Sequence, residues 1–401
     1  MIQSFFDKSK KNFLIDFFIY LLPIAIISGQ FITNTISSIV SILFIILYLT
    51  KKIKKNFSNF FYFFLFLIII FCINILFSNH PIISASSSIG FLRYYFMFLG
   101  FLYCFYYIDS FEKNFTKVLF FSLIFVIFDG YIQYIFGKDI FNIAINNNRL
   151  SGPFGSEQVI GAFISKLIFL SLGFLFFKKV NIHYIFFILC FAFFLVVLSN
   201  ERSSSIMFLF SLIIFFIFSS MRFIPKIIYF FSVIFFLFFL FMFNNTFKDR
   251  FINEPKNVYK DNHHKAHFLA AIEIFKDNKI IGSGIKSFRL ECAKKKYDNI
   301  DTIYASKRCT THPHNFYLEI LSETGIVGIL IIIFINLYFL QYLVINFVKK
   351  KQFRDEILLI FCAFVILFFP FQTTGSFFSS FNGFFYWIFF SFFFNLKKKL
   401  T

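Results

Sequence analysis

The sequence predicts an all-α membrane protein of about twelve transmembrane helices with one large outer loop, and three observations carry the prediction. Hydrophobic residues make up 59% and charged residues only 15% of the 401 positions, too apolar a balance for an ordinary water-facing surface. Apolar runs of about 17 to 25 residues recur along the chain, the length that a bilayer requires. Short polar turns separate these runs, and a single long polar segment, roughly 245–324, breaks the rhythm.

Taken in order, the expected spans are 13–29, 31–50, 57–77, 90–107, 115–136, 157–177, 183–199, 203–220, 226–244, 325–347, 356–372 and 380–396. The first run lacks a small-residue cleavage site and more spans follow it, so it is expected to stay as an anchor. An even number of crossings puts both termini on one side. That side collects Lys8, Lys10, Lys11, the run Lys51, Lys52, Lys54 and Lys55, then Lys178, Lys179, Arg222, Lys226, Lys349 to Lys351, Arg354 and Lys397 to Lys399. Basic residues cluster in short cytoplasmic loops, which makes this side the cytoplasm. The formal charge of +19 therefore reports topology rather than nucleic acid, since no basic stripe with interleaved aromatics is present. Three regions result: 1–244 with nine spans, the outer loop 245–324, and 325–401 with three spans and a cytoplasmic tail.

Within the outer loop, Phe268, Ile272 and Phe275 fall at helical spacing and "DNKIIGSG" supplies a stop, so a helix is expected there, on the membrane surface or over a cavity. Gly282 and Gly284 form a GxG, a weak phosphate-loop signal and more simply a turn. Cys72, Cys104, Cys190 and Cys362 sit in spans as small apolar fillers. Cys292 and Cys309 share the outer loop, either as a disulfide or as two thiols; a bridge would contribute roughly 3 kcal/mol on a chain-entropy model.

The chain prefers lysine, and its eight arginines are Arg93, Arg149, Arg202, Arg222, Arg250, Arg289, Arg308 and Arg354. Only Arg222 and Arg354 fall on the cytoplasmic side; the other six lie outside, the reverse of the lysine distribution. A planar guanidinium grips phosphate with two parallel hydrogen bonds, which lysine cannot imitate. Arg149 in "NNNRLSGPFGSE" and Arg202 in "SNERSSS" suit a pyrophosphate at the outer surface. Pairing with Asp249, Glu254 or Glu291 is the plainer alternative. Intramembrane charge invites a functional hypothesis: Asp129, one turn before Gln133, and Lys166 are read as facing each other or a wet cavity, with snorkelling or a structural pair the preferred reading for Lys166.

In "THPHNFYLEILSETGIVGI", read as a helix, His314, Leu318, Leu321, Gly325 and Gly328 form one stripe, while Glu319, Ser322 and Glu323 occupy the polar side. Pro313 favours a first helical turn and so puts His314 near a helix N-terminus, where the dipole keeps an imidazole neutral and free N–H groups receive anions. An interfacial histidine that only anchors the helix is the alternative. Metal ligation by His263, His264, His267, His312 and His314 matches no standard zinc spacing, and no Gly-x-Ser-x-Gly elbow or comparable cysteine signature is present.

These residues resemble the O-antigen ligase and polymerase superfamily of bacterial envelope proteins. His314, Asn315, Gly325 and Gly328 match its signature of His, then Asn, Ser or Gln, nine residues, Gly, two residues and a small or aromatic one. "FDGYIQYIFGKDIF", "RLSGPFGSEQVIGAF", "SNERSS" and "IIGSGIKSF" resemble family segments in the same order, so the likeness covers roughly residues 120 to 335. The resemblance implies glycosyl transfer at the periplasmic face of the bacterial inner membrane, without metal or cofactor. The donor would be a glycan on undecaprenyl pyrophosphate and the acceptor a sugar hydroxyl of lipid A core or of another glycan, with inversion by one in-line displacement. His314 carries over as the residue that activates the hydroxyl, and Arg149 and Arg202 as holders of the pyrophosphate. Asn315, Asp129 and Arg289 complete the candidate substrate-binding set. Family members place an arginine at the start of the loop helix, where this chain has "HHKAHF"; that contact stays open among His264, Lys265 and His267.

Ligase is the preferred activity, with polymerase and protein O-glycosylation sharing much of the pattern; the expected absence of an extra C-terminal domain favours the first two. A twelve-span transporter or flippase would instead call for repeat symmetry and midplane ion-pathway charges. A structural assembly protein would leave the outward arginines unexplained.

Overall fold

In a computed structural model, residues 11–50, 58–175, 181–254 and 262–400 are described. Of the lysines used to orient the chain, Lys8, Lys10, Lys51, Lys52, Lys54, Lys55, Lys178 and Lys179 lie outside the described residues. The long helices run α1 (Lys11–Ser28), α2 (Gln30–Leu49), α3 (Ser58–Leu76), α4 (Pro81–Tyr107), α5 (Phe111–Phe136), α6 (Ile160–Leu175), α7 (Ile182–Leu198), α8 (Arg202–Phe218) and α9 (Phe223–Phe243). After the loop helix α10 (His263–Asp277) come α11 (Phe316–Lys349), α12 (Arg354–Phe368) and α13 (Ser380–Leu400). No strand occurs among the described residues, only the isolated bridges Lys138 to Ala144 and Asn146 to Arg149.

Five helices, α2, α4, α5, α9 and α11, are long and apolar enough to cross a membrane, and α6, α7 and α8 are shorter apolar helices. Large apolar side chains stand exposed on them, among them Phe235 at 69% and Phe334 at 73%, a surface that water disfavours and lipid accepts. The interior is built from phenylalanine: Phe339 lies 4.2 Å from Phe393, and Phe101 meets Phe115 edge to face at 5.1 Å, a geometry that aromatic quadrupoles favour.

Two helices depart from expectation. α4 begins at Pro81, nine residues before the expected span, because proline at the first turn and Ser84, bonded to Ser78 Oγ at 2.7 Å, let a serine-rich stretch start the helix. α11 is not one straight stripe: Gly325 has φ 66° and ψ −161°. A Cβ there would strike the carbonyl of Ile280, so the break lets 279–284 pass against the helix. Ser283 N donates to Ser322 O at 2.9 Å, Gly284 N to Glu323 O at 2.9 Å and Ile326 N to Lys279 O at 2.8 Å. Gly282, at φ 79°, would clash with the backbone at Glu323 and Thr324 if it carried a side chain. The GxG is thus a packing turn.

Lys399 pairs with Glu112 at the start of α5, Lys397 donates to Tyr338 at 2.9 Å, and Ser220 N donates to Asp355 at 2.8 Å. α5 has 26 residues, or about 39 Å at 1.5 Å per residue, and its far end leads into the loop carrying Arg149.

Candidate functional site

The α5 to α6 loop is tied to α5 by two side chains. Asp129 Oδ1 accepts from Ile140 N at 2.9 Å, and Gln133 Oε1 accepts from Ser151 N at 3.0 Å and Gly152 N at 2.8 Å. Asp129 and Gln133 therefore hold a loop; Asp129 is fully buried, bonds Ile140 N rather than Lys166 and does not line the cleft described below, so the expectation that it faces Lys166 or a wet cavity is corrected. The loop in turn reaches the α7 to α8 turn, where Asn200 Nδ2 donates to Asn148 O at 2.7 Å. That bond sets Arg149 beside Arg202.

Arg149, Arg202, Arg250 and Lys166 line one hollow of about 260 Å³ together with the carboxylate Glu201. Glu201 accepts from Gly161 N at 2.6 Å and Ala162 N at 3.0 Å at the start of α6, so it is occupied in holding a helix N-terminus. Arg250 and Arg202 both reach Glu254, at 2.8 and 3.4 Å, which realises the plainer pairing for part of the set. Arg149 donates to Gln158 O at 3.0 Å, while its Nε is buried with no hydrogen-bond partner. Lys166 donates to Asn382 at 2.6 Å and lies over the rings of Phe381 and Phe385, a paired lysine rather than an ion-pathway charge.

A second cleft of about 1150 Å³ shares Arg149, His264, Thr373, Thr374 and Gly375 with the first and adds Lys286, His312 and His314. Ile26, Ile27, Phe154 and Phe381 add apolar surface to it, alongside Gln30, Glu157 and Asn382.

His314 precedes the helix instead of starting it. Asn315 is the N-cap of α11, its Oδ1 accepting from Leu318 N at 3.1 Å, and His314 has φ 56°, the left-handed region that costs a non-glycine residue about 1 to 2 kcal/mol. Surrounding bonds hold it there. Thr374 N donates to His314 O at 2.8 Å, Phe316 N donates to Thr374 Oγ1 at 2.9 Å, and Asn315 Nδ2 donates to the carbonyls of Pro370 at 2.7 Å and Gln372 at 3.1 Å. With its side chain so engaged, Asn315 positions the loop. The stripe expected from His314 to Gly328 is corrected on both counts, the left-handed residue and the break at Gly325.

The His314 ring is neutral for a different reason than expected. Burial, followed by the neighbouring imidazoles of His312, His264 and His267, pushes its pKa down to about 3; burial followed by Lys286 takes His312 down to about 4. Helix-dipole repulsion is not needed. Among the described residues no hydrogen bond engages the His314 ring.

Behind the histidine, two carboxylates lock three segments together. Glu319 accepts from Ser376 Oγ at 2.5 Å and Phe377 N at 2.6 Å, and Glu323 from Lys286 N at 2.7 Å and Phe288 N at 3.1 Å. Lys286 Nζ also bonds Ser376 Oγ. Local sequence reasoning missed Lys286, Glu319, Glu323 and the 373–376 turn. The signal was faint: two glutamates four apart, assigned to a polar side, that the fold buries completely.

The remaining arginines divide. Arg93 is spent on Asn34 at 2.9 Å and Ser380 at 3.2 Å, Arg308 on Cys292 O at 2.7 Å and on Asp298, and Arg289 is exposed and does not line either hollow. Cys292 and Cys309 are joined as a disulfide, with Cα atoms 5.3 Å apart. α10 packs Ala270, Ala271 and Ile274 against Phe288, Cys292 and Tyr297, and so brings His264 and His267 to His314, with ring centroids 5.1 and 5.2 Å away. Donor atoms of these three histidines lie within 4.8 Å of one another, a proximity that spacing along the chain did not suggest.

Comparison with curated proteins found no match. Residues 185–333 match the protein family described as O-Antigen ligase, a segment that contains Arg202, Arg250, α10, Lys286, His314 and Glu323. Among the described residues, helices long and apolar enough to cross a membrane lie before and within that segment, and the last of them extends beyond it; the match supports a likeness to the O-antigen ligase superfamily.

Proposed function

We propose that the protein transfers a glycan from undecaprenyl pyrophosphate to a sugar hydroxyl of lipid A core, at the periplasmic face of the bacterial inner membrane, through twelve spans and one large periplasmic loop. His314 is the general base, Arg149 and Arg202 hold the pyrophosphate, and no metal takes part. The observation that carries this reading is the shared wall: Arg149, with a buried unpaired Nε, and His314, with an uncharged and unbonded ring, line one cleft. Its apolar surface suits a polyprenyl chain.

The chemistry follows from those groups. The acceptor hydroxyl loses its proton to the His314 nitrogen as its oxygen attacks the anomeric carbon. The bond to the pyrophosphate oxygen breaks in the same displacement, and the lipid pyrophosphate departs toward the guanidinium groups with the bonding pair. Base catalysis contributes typically about 10²–10⁴-fold, and fixed cations around the leaving group add more where water is excluded.

Reconstitution with a lipid-pyrophosphate glycan and either lipid A core or a second donor molecule tests the assignment. Transfer to core is expected. Lengthening of the donor glycan would identify a polymerase instead, and absence of both would sink the reading.

A further inference from the structure

We propose that His264, His267 and His314 form a binding site for a divalent transition-metal ion of the zinc class, and that filling it blocks transfer by taking the His314 nitrogen. The binding stands on geometry alone. The blockade rests on His314 being the base.

His264 and His267 are three apart on α10 and so present their rings on one face; His314, from the segment just before α11, lies beside them, and one donor atom from each lies within 4.8 Å of the others. Nitrogens around a tetrahedral zinc at 2.0–2.1 Å are about 3.4 Å apart. Closing the trio requires shifts of about 1.4 Å, within reach of ring rotation about χ1 and χ2. Two of the rings carry an otherwise unused nitrogen: Nδ1 of His264 and Nδ1 of His267 are buried with no hydrogen-bond partner. For His267 the tautomer is fixed as well. Its Nε2 donates to Lys307 O at 3.0 Å, which leaves the lone pair on Nδ1, the arrangement in which a backbone carbonyl orients a metal-binding histidine.

Donor chemistry selects the ion. Three imidazoles with no carboxylate favour zinc, copper, nickel or cobalt over magnesium or calcium. The fourth position opens on the cleft, to water or to an anion. Arg149 and Lys286 on the same cleft repel a dication, so the site binds more weakly than a closed structural zinc centre and an anionic fourth ligand strengthens it.

The test uses the full-length protein in detergent, titrated with Co(II), whose visible ligand-field bands report tetrahedral nitrogen ligation. Wild type is expected to give bands that Zn(II) displaces. His267→Gln and His264→Gln are expected to lose them while keeping a cooperative thermal transition, and His263→Gln, an exposed neighbour, to retain them. Absence of bands in the wild type, or their survival in both variants, overturns the site. In the transfer assay, zinc is expected to inhibit wild type reversibly, with a chelator restoring activity. The half-inhibiting concentration for His267→Gln, measured against that variant's own zinc-free rate, is expected to rise at least about tenfold, equivalent to 1.4 kcal/mol. Bands with undiminished transfer overturn the blockade. Should wild type transfer no glycan at all, the proposed activity fails, and the cobalt spectrum still decides the site.

Discussion

The phenylalanine bundle and the polar assembly at its Arg149 end are stabilised in different ways. In the bundle, contacts such as Phe101 with Phe115 and Phe339 with Phe393 are numerous, weakly directional and interchangeable. In the assembly, single side chains satisfy specific backbone groups across long stretches of chain: Asn315 to Pro370 and Gln372, Glu319 to Phe377, Glu323 to Lys286 and Phe288, Gln133 to Ser151 and Gly152. Helices satisfy their own backbones, whereas irregular chain must borrow partners. One region therefore tolerates substitution, and the other does not.

The largest break in that contrast is expected from Glu323→Ala. It strands two buried N–H groups and is expected to cost about 2 to 5 kcal/mol, read as a lowered thermal midpoint together with loss of transfer. Next comes Arg149→Lys, which keeps the charge and loses the fork. A fall of about 100-fold in transfer with little change in melting is expected, the size typical of removing one donor from a developing charge; near-normal transfer would remove Arg149 from pyrophosphate binding.

The histidines sharpen the comparison through pH. His312 and His314 have folded pKa values of about 4 and about 3 against an unfolded value near 6.5. The unfolded chain thus binds more protons below 6.5, and stability falls as pH drops from there toward 4. Melting midpoints between pH 7 and 5 should decline less steeply for His312→Gln than for wild type. Transfer itself should hold its plateau between pH 7 and 6, since the base stays neutral; a rate that halves near pH 6.5 would contradict the neutral ring. The smallest effect is expected in the bundle, where Phe393→Leu, although fully buried, should lower stability by about 1 kcal/mol and leave transfer within twofold.

The same contrast explains what the sequence disclosed. Apolar runs are local, so helices near all the expected spans could be placed from hydropathy, and the motif drew attention to His314 and Asn315. The position of the histidine was not local. That His314 takes φ 56° depends on Thr374, sixty residues further along, and the burial of Glu319 depends on Ser376 and Phe377. Helical spacing put Glu319 and Glu323 on a polar face because it has no means of seeing the loop that covers them. Arg149 stood out by composition, in a lysine-rich chain. Asp129 stood out equally and proved to brace a loop, since a buried carboxylate accepting from one backbone N–H, that of Ile140, looks, in sequence, like one facing water.

The central claim is that His314 and Arg149 act on one substrate in one cleft. Single-turnover transfer by wild-type and His314→Ala protein in the same vesicles, with membrane insertion confirmed for both, tests it most directly. A fall of at least about 100-fold in the rate of glycan transfer, with lipid-pyrophosphate donor still bound, is the predicted result. Undiminished transfer by the His314→Ala protein would contradict it.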